Sequence, residues 1–444
     1  MKVQDQKNAA KSPINVQTTL IHVNPHFDEM VGYYVFRNYG EALFPGAAKA
    51  CVQYAAHEVL GTDAIYDRDA VVPIGRGLGR FDDHELGDGV EECSATLVAK
   101  YLGVQDNPEL KSLLTETLRF DLKPECPATR LPELIKVGHR NGIDQSLVFS
   151  YTYNMIEAIV WAVKYGTGPV KGEISLAKAY EMLVAENNSA LSQDGRVRDR
   201  MKKLIGQSEA QNDSVTELAF AFKAMFRRGY AQADIMPTIR FWLHTMELDQ
   251  IAFMETVAEV KTQRPVVIRA LIDGKETRLR LMVCEGDNPH FQKAARYLGN
   301  DIVLVRQIAG NVQIHTNKAK EIGISLVDAV RMIRMLEIPE VKRKDVDWKV
   351  LGCIDEYPGV DRWFYFAKAE ALFNGSLTVT KLPSRITTER LVDVLQHAFH
   401  PQGVATWCNS YRIRMNKPQA QVAKASQSAK SVPATTAAAV AVMS

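Results

Sequence analysis

The chain has 444 residues, of which 46% are hydrophobic and 24% are charged. These are ordinary values for a globular protein, and the length predicts two or three domains. The formal net charge of +2 does not by itself indicate a nucleic-acid partner, because the basic residues would have to cluster on one face. No run of about 18 apolar residues is present, so we predict no membrane-spanning helix and no membrane partner.

Cysteine usage indicates the compartment. The six cysteines are scattered along the chain without a CxxC pair, so the sequence favours neither a disulfide framework nor a zinc ribbon. Such usage is typical of a reducing environment. The amino-terminal residues MKVQDQKNAAKSP also lack the apolar core of a signal peptide. We therefore expect a cytoplasmic protein.

Changes in composition and apolar spacing divide the chain into five predicted regions. Residues 1–14 are polar and predict a flexible amino terminus, and 417–444 lack large core-forming residues and predict a disordered tail. Residues 15–145 alternate short apolar runs with helical stretches, whereas 146–263 have helical apolar spacing almost throughout. Residues 264–416 mix hairpins with helices, which predicts a smaller α+β domain.

The predicted elements of the first domain indicate its fold class. VQTTLIHV, KACVQYA and DAVVPIG have the apolar character of buried strands, and DEMVGYYVFRNYG and CSATLVAKYLG have that of helices. This alternation predicts an α/β fold with a doubly wound, mostly parallel sheet, followed by a helical connecting segment.

The predicted α+β domain of residues 264–416, here called the third domain, begins with a predicted hairpin that turns at Asp273 and Gly274. A second hairpin, DIVLVRQIAGNVQIHTN, follows it. Ser325 and Asp328 predict a capping box at the start of the helix SLVDAVRMIRMLE. These elements are typical of an α+β domain.

Metal-type side chains follow two of the strands predicted for the first domain. IHVNPHFDEM, residues 21–30, and VVPIGRGLGRFDDHE, residues 71–85, each carry histidine and aspartate after an apolar strand. The carboxyl ends of parallel strands meet at one sheet edge, where ligand sites lie. Imidazole and carboxylate groups together suit Mn²⁺, Fe²⁺ or Zn²⁺. The predicted metal ligands are His22, His26, Asp28, Asp82, Asp83 and His84.

These motifs resemble those of a known enzyme family. The spacing H-x-N-P-x-x-D-E, which runs from His22 to Glu29, resembles the first motif of the DHH phosphoesterase superfamily. FDDH at 81–84 stands where that superfamily has its DHH triplet. CSATLVAKYLG and NGID at 141–144 are similar to segments of the MYG-type exonuclease branch.

The resemblance implies hydrolysis of a phosphodiester or phosphoanhydride that depends on Mn²⁺ (or Mg²⁺). The implied substrate is a nucleic-acid end or a small nucleotide, so the implied partner is a nucleotide or an oligonucleotide. The resemblance also implies that residues 264–416 bind substrate, and that 15–145 form the metal-binding α/β domain.

One position departs from the family pattern. The branch has an aspartate in a VVDVG pattern that bridges two metals, and this chain has Pro73 there. Proline has no side-chain donor, so we expect a weak second metal site unless Asp67, Asp69 or Asp144 supplies the bridge.

Roles in chemistry and substrate binding follow from this interpretation. A metal-bound hydroxide would attack phosphorus, and His84 or His139 would protonate the leaving oxygen, so the predicted catalytic residues are His84, His139 and Asp83. Arginines in the glycine-rich loop and two polar turns of the third domain, HTN and FNGS, offer groups for a substrate, although ordinary surface arginines and turns are the alternative. The predicted substrate-binding residues are Arg76, Arg80, His315, Asn317, Asn374, Gly375 and Ser376.

Two alternatives remain open from the sequence. The protein can be a non-catalytic DHH-like binding or scaffold protein, with Pro73 as the mark of a degenerate metal site. The third domain can serve dimerisation instead of substrate binding, which would make the protein a homodimer.

Overall fold

The fold is taken from a computed structural model of the chain. The structure describes residues 13–55, 61–77, 79–83, 91–122, 126–166, 168, 170–186, 194–211, 214–317, 319–343, 345–357, 359–367, 369–375, 382–411 and 413. The chain divides into two compact units, Met1–Ala252 and Phe253–Ser444.

The first unit contains a three-stranded parallel sheet. Its strands are β1 (Thr18–His22), β2 (Cys51–Ala55) and β3 (Val71–Pro73). They are arranged in the order β2-β1-β3, with Thr18 in register with both Cys51 and Val71. The predicted α/β class and the parallel pairing are confirmed. Because β1 is central, its carboxyl end lies between those of its two neighbours.

Helices make up most of the remainder of the described part of the first unit. Their bounds are α1 (Phe27–Tyr39), α2 (Asp63–Arg68), α3 (Ser94–Leu102), α4 (Pro108–Leu122), α5 (Leu131–Arg140), α6 (Gln145–Tyr165), α7 (Leu176–Ala185), α8 (Gly195–Ala210), α9 (Leu218–Arg228) and α10 (Gln232–Lys261). The last of these extends past the boundary between the units.

One apolar core holds this unit together. It joins Ile21 of the sheet to helical residues as distant in sequence as Ile156, Phe222 and Trp242, all fully buried. The helices after residue 145 therefore pack into the same core as the parallel sheet. The sequence suggested boundaries at 145 and 263, whereas the single division of the structure falls after Ala252.

The second unit is built on a seven-stranded mixed sheet. Its elements are β4 (Val266–Ile272), β5 (Lys275–Glu285), α11 (Phe291–Tyr297), β6 (Ile302–Arg306), β7 (Val312–Thr316), α12 (Ala319–Ile322), α13 (Val327–Glu337), α14 (Glu340–Arg343), β8 (Asp355–Tyr357), β9 (Val360–Phe366), β10 (Ala371–Asn374), α15 (Thr388–Ala398) and α16 (Pro401–Ser410). The strand order is β4-β5-β6-β7-β10-β9-β8, and every pair is antiparallel except β5–β6.

The two faces of this sheet differ. Residues such as Leu281 and Leu304 point to a large core shared with α13 and α15. On the opposite face, Met282 and Val303 pack under a smaller apolar cluster that includes Phe291 of α11. Side chains alternate between the faces along each strand.

Local sequence signals had different outcomes in this unit. Asp273 and Gly274 have φ values of 49° and 76°, so the predicted tight turn between β4 and β5 is confirmed. The predicted capping box at Ser325 and Asp328 is wrong. The helix begins at Val327, and the Leu326 N–H donates to Glu370 Oε2 at 2.6 Å. A distant glutamate therefore satisfies the amide at the start of this helix.

Two further findings concern the chain as a whole. Among the helices that the structure describes, none is both long enough and apolar enough to cross a bilayer. All six cysteines lie in described positions, and each is a free thiol.

Candidate functional site

The candidate site lies at the carboxyl edge of the parallel sheet. His22 ends β1 and Pro73 ends β3, so the loops that follow them leave from the same edge. Asn24 has a φ of 57°, and its N–H donates to Gln145 Oε1 at 2.9 Å. This contact ties the turn between β1 and α1 to the start of α6.

His139 holds the same turn from α5. Its Nε2 lies 3.0 Å from the Pro25 carbonyl oxygen, which only accepts, so Nε2 carries the proton. Burial lowers the pKa of His139, and the Pro25 contact acts in the opposite direction. The predicted catalytic histidine thus uses one ring N–H to position the first motif.

The first motif contains three of the predicted ligands, His22, His26 and Asp28. The ring centroids of His22 and His26 are 6.4 Å apart, with planes tilted by 34°. The Nδ1 atom of His22 contacts the carbonyl oxygen of Val23. Asp28 is buried in the first turn of α1, where the helix dipole favours a carboxylate. Burial raises the pKa of the Cys93 thiol, and the Asp28 charge adds to that shift.

Glu29 lies at the centre of this edge, although the sequence did not single it out as a functional group. It is 4% exposed, and its Oε2 accepts a hydrogen bond from the His26 N–H at 2.7 Å. Burial raises the pKa of Glu29 well above its ordinary value, and the neighbouring Asp28 charge adds to this. The signal available in the sequence was the Asp-Glu pair in the first turn of a helix that follows a strand.

The glycine-rich loop packs directly on Glu29. Gly75 has a φ of 74°, and a Cβ there would lie 2.7 Å from Glu29 Oε1, so only glycine fits. The next residue, Arg76, is 1% exposed. Burial lowers the pKa of its guanidinium, and the charges of Glu29, Tyr66 and Asp82 act in the opposite direction. The glycine loop therefore places a buried cation among buried acids.

The second motif is only partly described. Asp82 is 7% exposed, and Asp83 accepts a hydrogen bond from Ser94 Oγ at 3.0 Å. His84 lies outside the described residues. Within the ranges that the structure describes, no three His, Cys, Asp or Glu side chains form a group that could hold a metal ion. The donor types suit a metal, but the described residues alone do not complete its ligand set.

The residues considered as a replacement bridge are engaged elsewhere. Both oxygens of Asp67 accept from Arg80 Nη2, at 2.6 and 2.7 Å. Asp69 pairs with Arg68 at 2.8 Å, and Asp144 caps the amino terminus of α6. Pro73 itself is buried, and its Cγ lies 2.6 Å from where a Cβ on Gly79 would be. Arg80, predicted to bind substrate, is thus part of an ion pair that holds its loop.

The polar turns of the second unit are held by internal contacts. Asn374 is fully buried, and its amide donates to the carbonyl oxygens of Arg362 and Leu382, at 2.7 and 3.0 Å. The Asn317 amide donates to the Arg296 carbonyl at 3.2 Å. Gly375 is buried next to Asn374, and Ser376 lies outside the described residues.

His315 is also interior. It is 9% exposed on β7, its Nε2 lies 3.1 Å from Gln313 Oε1, and its ring meets Phe373 edge-on. Burial lowers the pKa of His315 to about 3, and the Arg296 charge contributes in the same direction. The imidazole is therefore neutral at physiological pH.

This shift predicts a pH-dependent loss of stability. A lowered pKa in the folded state stabilises the fold above the ordinary value of 6.5, and that contribution is lost as the pH falls towards the folded-state value. Between pH 6.5 and about 4, wild type should lose about 3 kcal/mol more unfolding free energy than His315→Gln. Urea unfolding at several pH values measures this. Parallel curves for wild type and His315→Gln would contradict the prediction.

Comparisons with known proteins do not identify a family. No protein-family model matches the chain, and no curated protein matches it. A solved structure described as an uncharacterized protein from Helicobacter pylori G27 is similar over 68% of this chain and 86% of its own, with 10% identity and a TM-score of 0.17. A similarity at that TM-score carries no argument about function.

Proposed function

We propose that the protein is a metal-dependent phosphoesterase of the DHH superfamily, similar to the MYG-type exonuclease branch, that hydrolyses a nucleic-acid end or a small nucleotide. The observation that supports this most is the charge balance at the carboxyl edge of the parallel sheet. Asp28, Glu29 and Asp82 are buried there, and Arg76 is a buried cation among them.

Acidic side chains outnumber the basic one among these four buried residues. Buried carboxylates are stable when they are paired, hydrogen-bonded or bound to a metal. Burial is the main cause of the raised pKa of Glu29, and the Asp28 charge adds to the rise. A divalent cation bound by His22 and His26 would offset the Asp28 charge, and these donors suit Mn²⁺ (or Mg²⁺).

Each residue has a distinct role in this proposal. His22, His26, Asp28, Asp82, Asp83 and His84 would hold the ion. When bound, a divalent ion supplies a water of lowered pKa and polarises the phosphoryl oxygen. Glu29 fixes the His26 backbone through its 2.7 Å hydrogen bond, and His139 fixes Pro25. His84 is either a ligand of the ion or the group that protonates the leaving oxygen, because the Nε2 proton of His139 is already donated to Pro25.

A hydrolysis assay tests the proposal directly. The purified protein, treated with chelator and then supplied with Mn²⁺ or Mg²⁺, should release mononucleotides from a labelled oligonucleotide or cleave a dinucleotide. Activity should disappear when the chelator is restored. Absence of hydrolysis of both substrates with either metal would overturn the proposed activity.

Pro73 predicts how many ions bind. With a proline at the end of β3, and with Asp67, Asp69 and Asp144 engaged, we expect one tight Mn²⁺ site per chain by calorimetry. Pro73→Asp should add a second site and raise the rate of hydrolysis, because two ions can stabilise the attacking and leaving oxygens together. Asparagine has the shape of aspartate but no charge, so Pro73→Asn is the control and should keep one site. Two tight sites in wild type would contradict this account of Pro73.

The alternative function is a DHH-like binding or scaffold protein with a degenerate metal site. It is favoured by Pro73 at the end of β3, because a proline side chain has no atom that can bind a metal. It predicts that wild type binds an oligonucleotide but takes up no stoichiometric Mn²⁺ and hydrolyses nothing. Calorimetry and the hydrolysis assay together separate the two functions.

A further inference from the structure

Three arginines form a charged surface on one face of the mixed sheet. Arg269 on β4 and Arg278 and Arg280 on β5 are all exposed. Arg269 lies in register with Arg278, and Val267 lies in register with Arg280. Partners in register point to the same side of a sheet, and so do residues two apart on one strand. We call Val267, Arg269, Arg278 and Arg280 the arginine face.

This arrangement is unfavourable on its own. Like charges directly opposite one another on neighbouring strands repel and destabilise a sheet. In the described part of the chain, no ion pair joins any of these three guanidiniums to a carboxylate. Two acids of this region have other contacts. Asp301 accepts from the Arg280 backbone N–H at 2.8 Å, and Glu276, which is in register with Leu271, contacts His400 at 3.2 Å. Among the described residues, the three guanidiniums of the arginine face are therefore left without an ion pair.

The geometry suits a chain of phosphates. A guanidinium presents a planar fork of donors that binds phosphate oxygens in pairs. Arg278 and Arg280 are separated by about 7 Å along β5, as two residues of a strand are. Apolar side chains lie on the same face: Val267 is 58% exposed and Leu271 is 37% exposed. An unpaired nucleobase can lie on such apolar surface or stack on a guanidinium plane.

We propose that the arginine face binds the phosphodiester backbone of single-stranded nucleic acid. The proposal rests on the proposed function, because it names a surface of the second unit that would bind an oligonucleotide substrate. It assigns this role to residues that the sequence did not single out. Arg306, another cation of the sheet, is engaged with the Ile386 carbonyl at 2.7 Å and does not belong to this surface.

The test is a binding measurement in chelator, so that hydrolysis plays no part. Affinity for a fluorescent single-stranded oligonucleotide is measured by anisotropy from about 50 to 200 mM salt. Arg269→Gln/Arg278→Gln/Arg280→Gln should bind at least about 10-fold more weakly at low salt, and its log–log salt slope should fall by about 2, since each phosphate contact contributes about 0.7.

A matched triple variant controls for net charge. Arg68, Arg196 and Arg240 are surface arginines that pair with Asp69, Asp194 and Glu186. Arg68→Gln/Arg196→Gln/Arg240→Gln removes the same total charge away from the arginine face and should keep the wild-type slope. Should the first triple variant fail to fold, Arg278→Gln alone should lower the slope by about 0.7.

Four outcomes would overturn the proposal. The first is that wild type does not bind the oligonucleotide, and the second is that the salt slope is unchanged in the arginine-face variants. The third is that the control variant loses as much affinity as the arginine-face variant. The fourth is that these arginines are needed for sedimentation with phosphatidylserine vesicles but not for oligonucleotide binding. The last outcome would indicate a membrane surface as partner. If the protein bound the oligonucleotide through these arginines but hydrolysed nothing, the arginine face would be supported and the proposed activity overturned. If it hydrolysed the oligonucleotide and the salt slope did not change in the arginine-face variants, the proposed activity would be supported and the arginine face overturned.

Discussion

Replacing Asp28 with asparagine should lower both Mn²⁺ affinity and metal-stimulated hydrolysis by about 100-fold or more, the range seen when groups of a metal site are lost. The physical reason is the loss of one negative donor from the first turn of α1, two residues after His26. Asparagine is preferred to alanine because Asp28 is only 7% exposed, and a smaller side chain would leave a cavity. Calorimetry with Mn²⁺ and the hydrolysis assay measure the two effects.

The control for this variant is another aspartate whose charge reaches the same neighbour. Asp121, exposed near the end of α4, also acts on the pKa of Cys93, but it lies outside the two motifs. Asp121→Asn should therefore keep wild-type metal affinity and activity. If Asp28→Asn kept full activity with an unchanged unfolding midpoint, Asp28 would not be a ligand and the ligand set would have to be redrawn.

Replacing Arg130 with alanine should destabilise the first unit by about 3–5 kcal/mol, because it removes the positive charge beside the buried carboxylate of Glu217. Arg130 Nε lies 2.8 Å from Glu217 Oε1, and the Glu217 side chain has no exposed surface. Thr129 and Ser208 each donate to Glu217 Oε2 at 2.8 Å. These hydrogen bonds do not supply the positive charge that the carboxylate loses. Urea unfolding of wild type and variant measures the difference.

Two variants test whether the loss of stability comes from the buried charge of Glu217 or simply from the loss of an arginine. Arg196→Ala breaks an exposed ion pair with Asp194 and should leave the unfolding free energy almost unchanged. Arg130→Ala/Glu217→Gln removes the stranded charge and should recover part of the stability lost in Arg130→Ala. Equal, small losses in Arg130→Ala and Arg196→Ala would contradict the prediction.

Backbone hydrogen bonds beside this buried ion pair join two distant segments of the first unit. The Leu131 N–H donates to the Thr216 carbonyl at 2.9 Å, and the Leu218 N–H donates to the Thr129 carbonyl at 3.0 Å. The start of α5 is thereby joined to the start of α9, far apart in sequence. Since α5 also carries His139, which holds the Pro25 turn, the stability of this junction bears on the position of the first motif.

The sequence by itself determined the elements that local patterns encode. The apolar segments VQTTLIHV, KACVQYA and DAVVPIG predicted buried strands of a parallel sheet. They contain β1, β2 and β3, which pair in parallel, but β2 is not buried as predicted. Gly103, the last residue of the predicted helix CSATLVAKYLG, follows α3 with a φ of 72° that glycine accepts without strain. The meeting of the first and second motifs at one sheet edge follows from parallel strands alone.

Only the tertiary structure decided which polar groups at that edge are buried together and which are engaged elsewhere. Glu29 follows Asp28 in the sequence, but its burial against Gly75 and beside Arg76 depends on how two loops pack. In the same way, Arg80 is held by Asp67, and the Asn374 amide is held by two carbonyl oxygens. Spacing along the chain places a side chain at a sheet edge; its partners, and hence its charge state and its availability to a ligand, depend on residues distant in sequence.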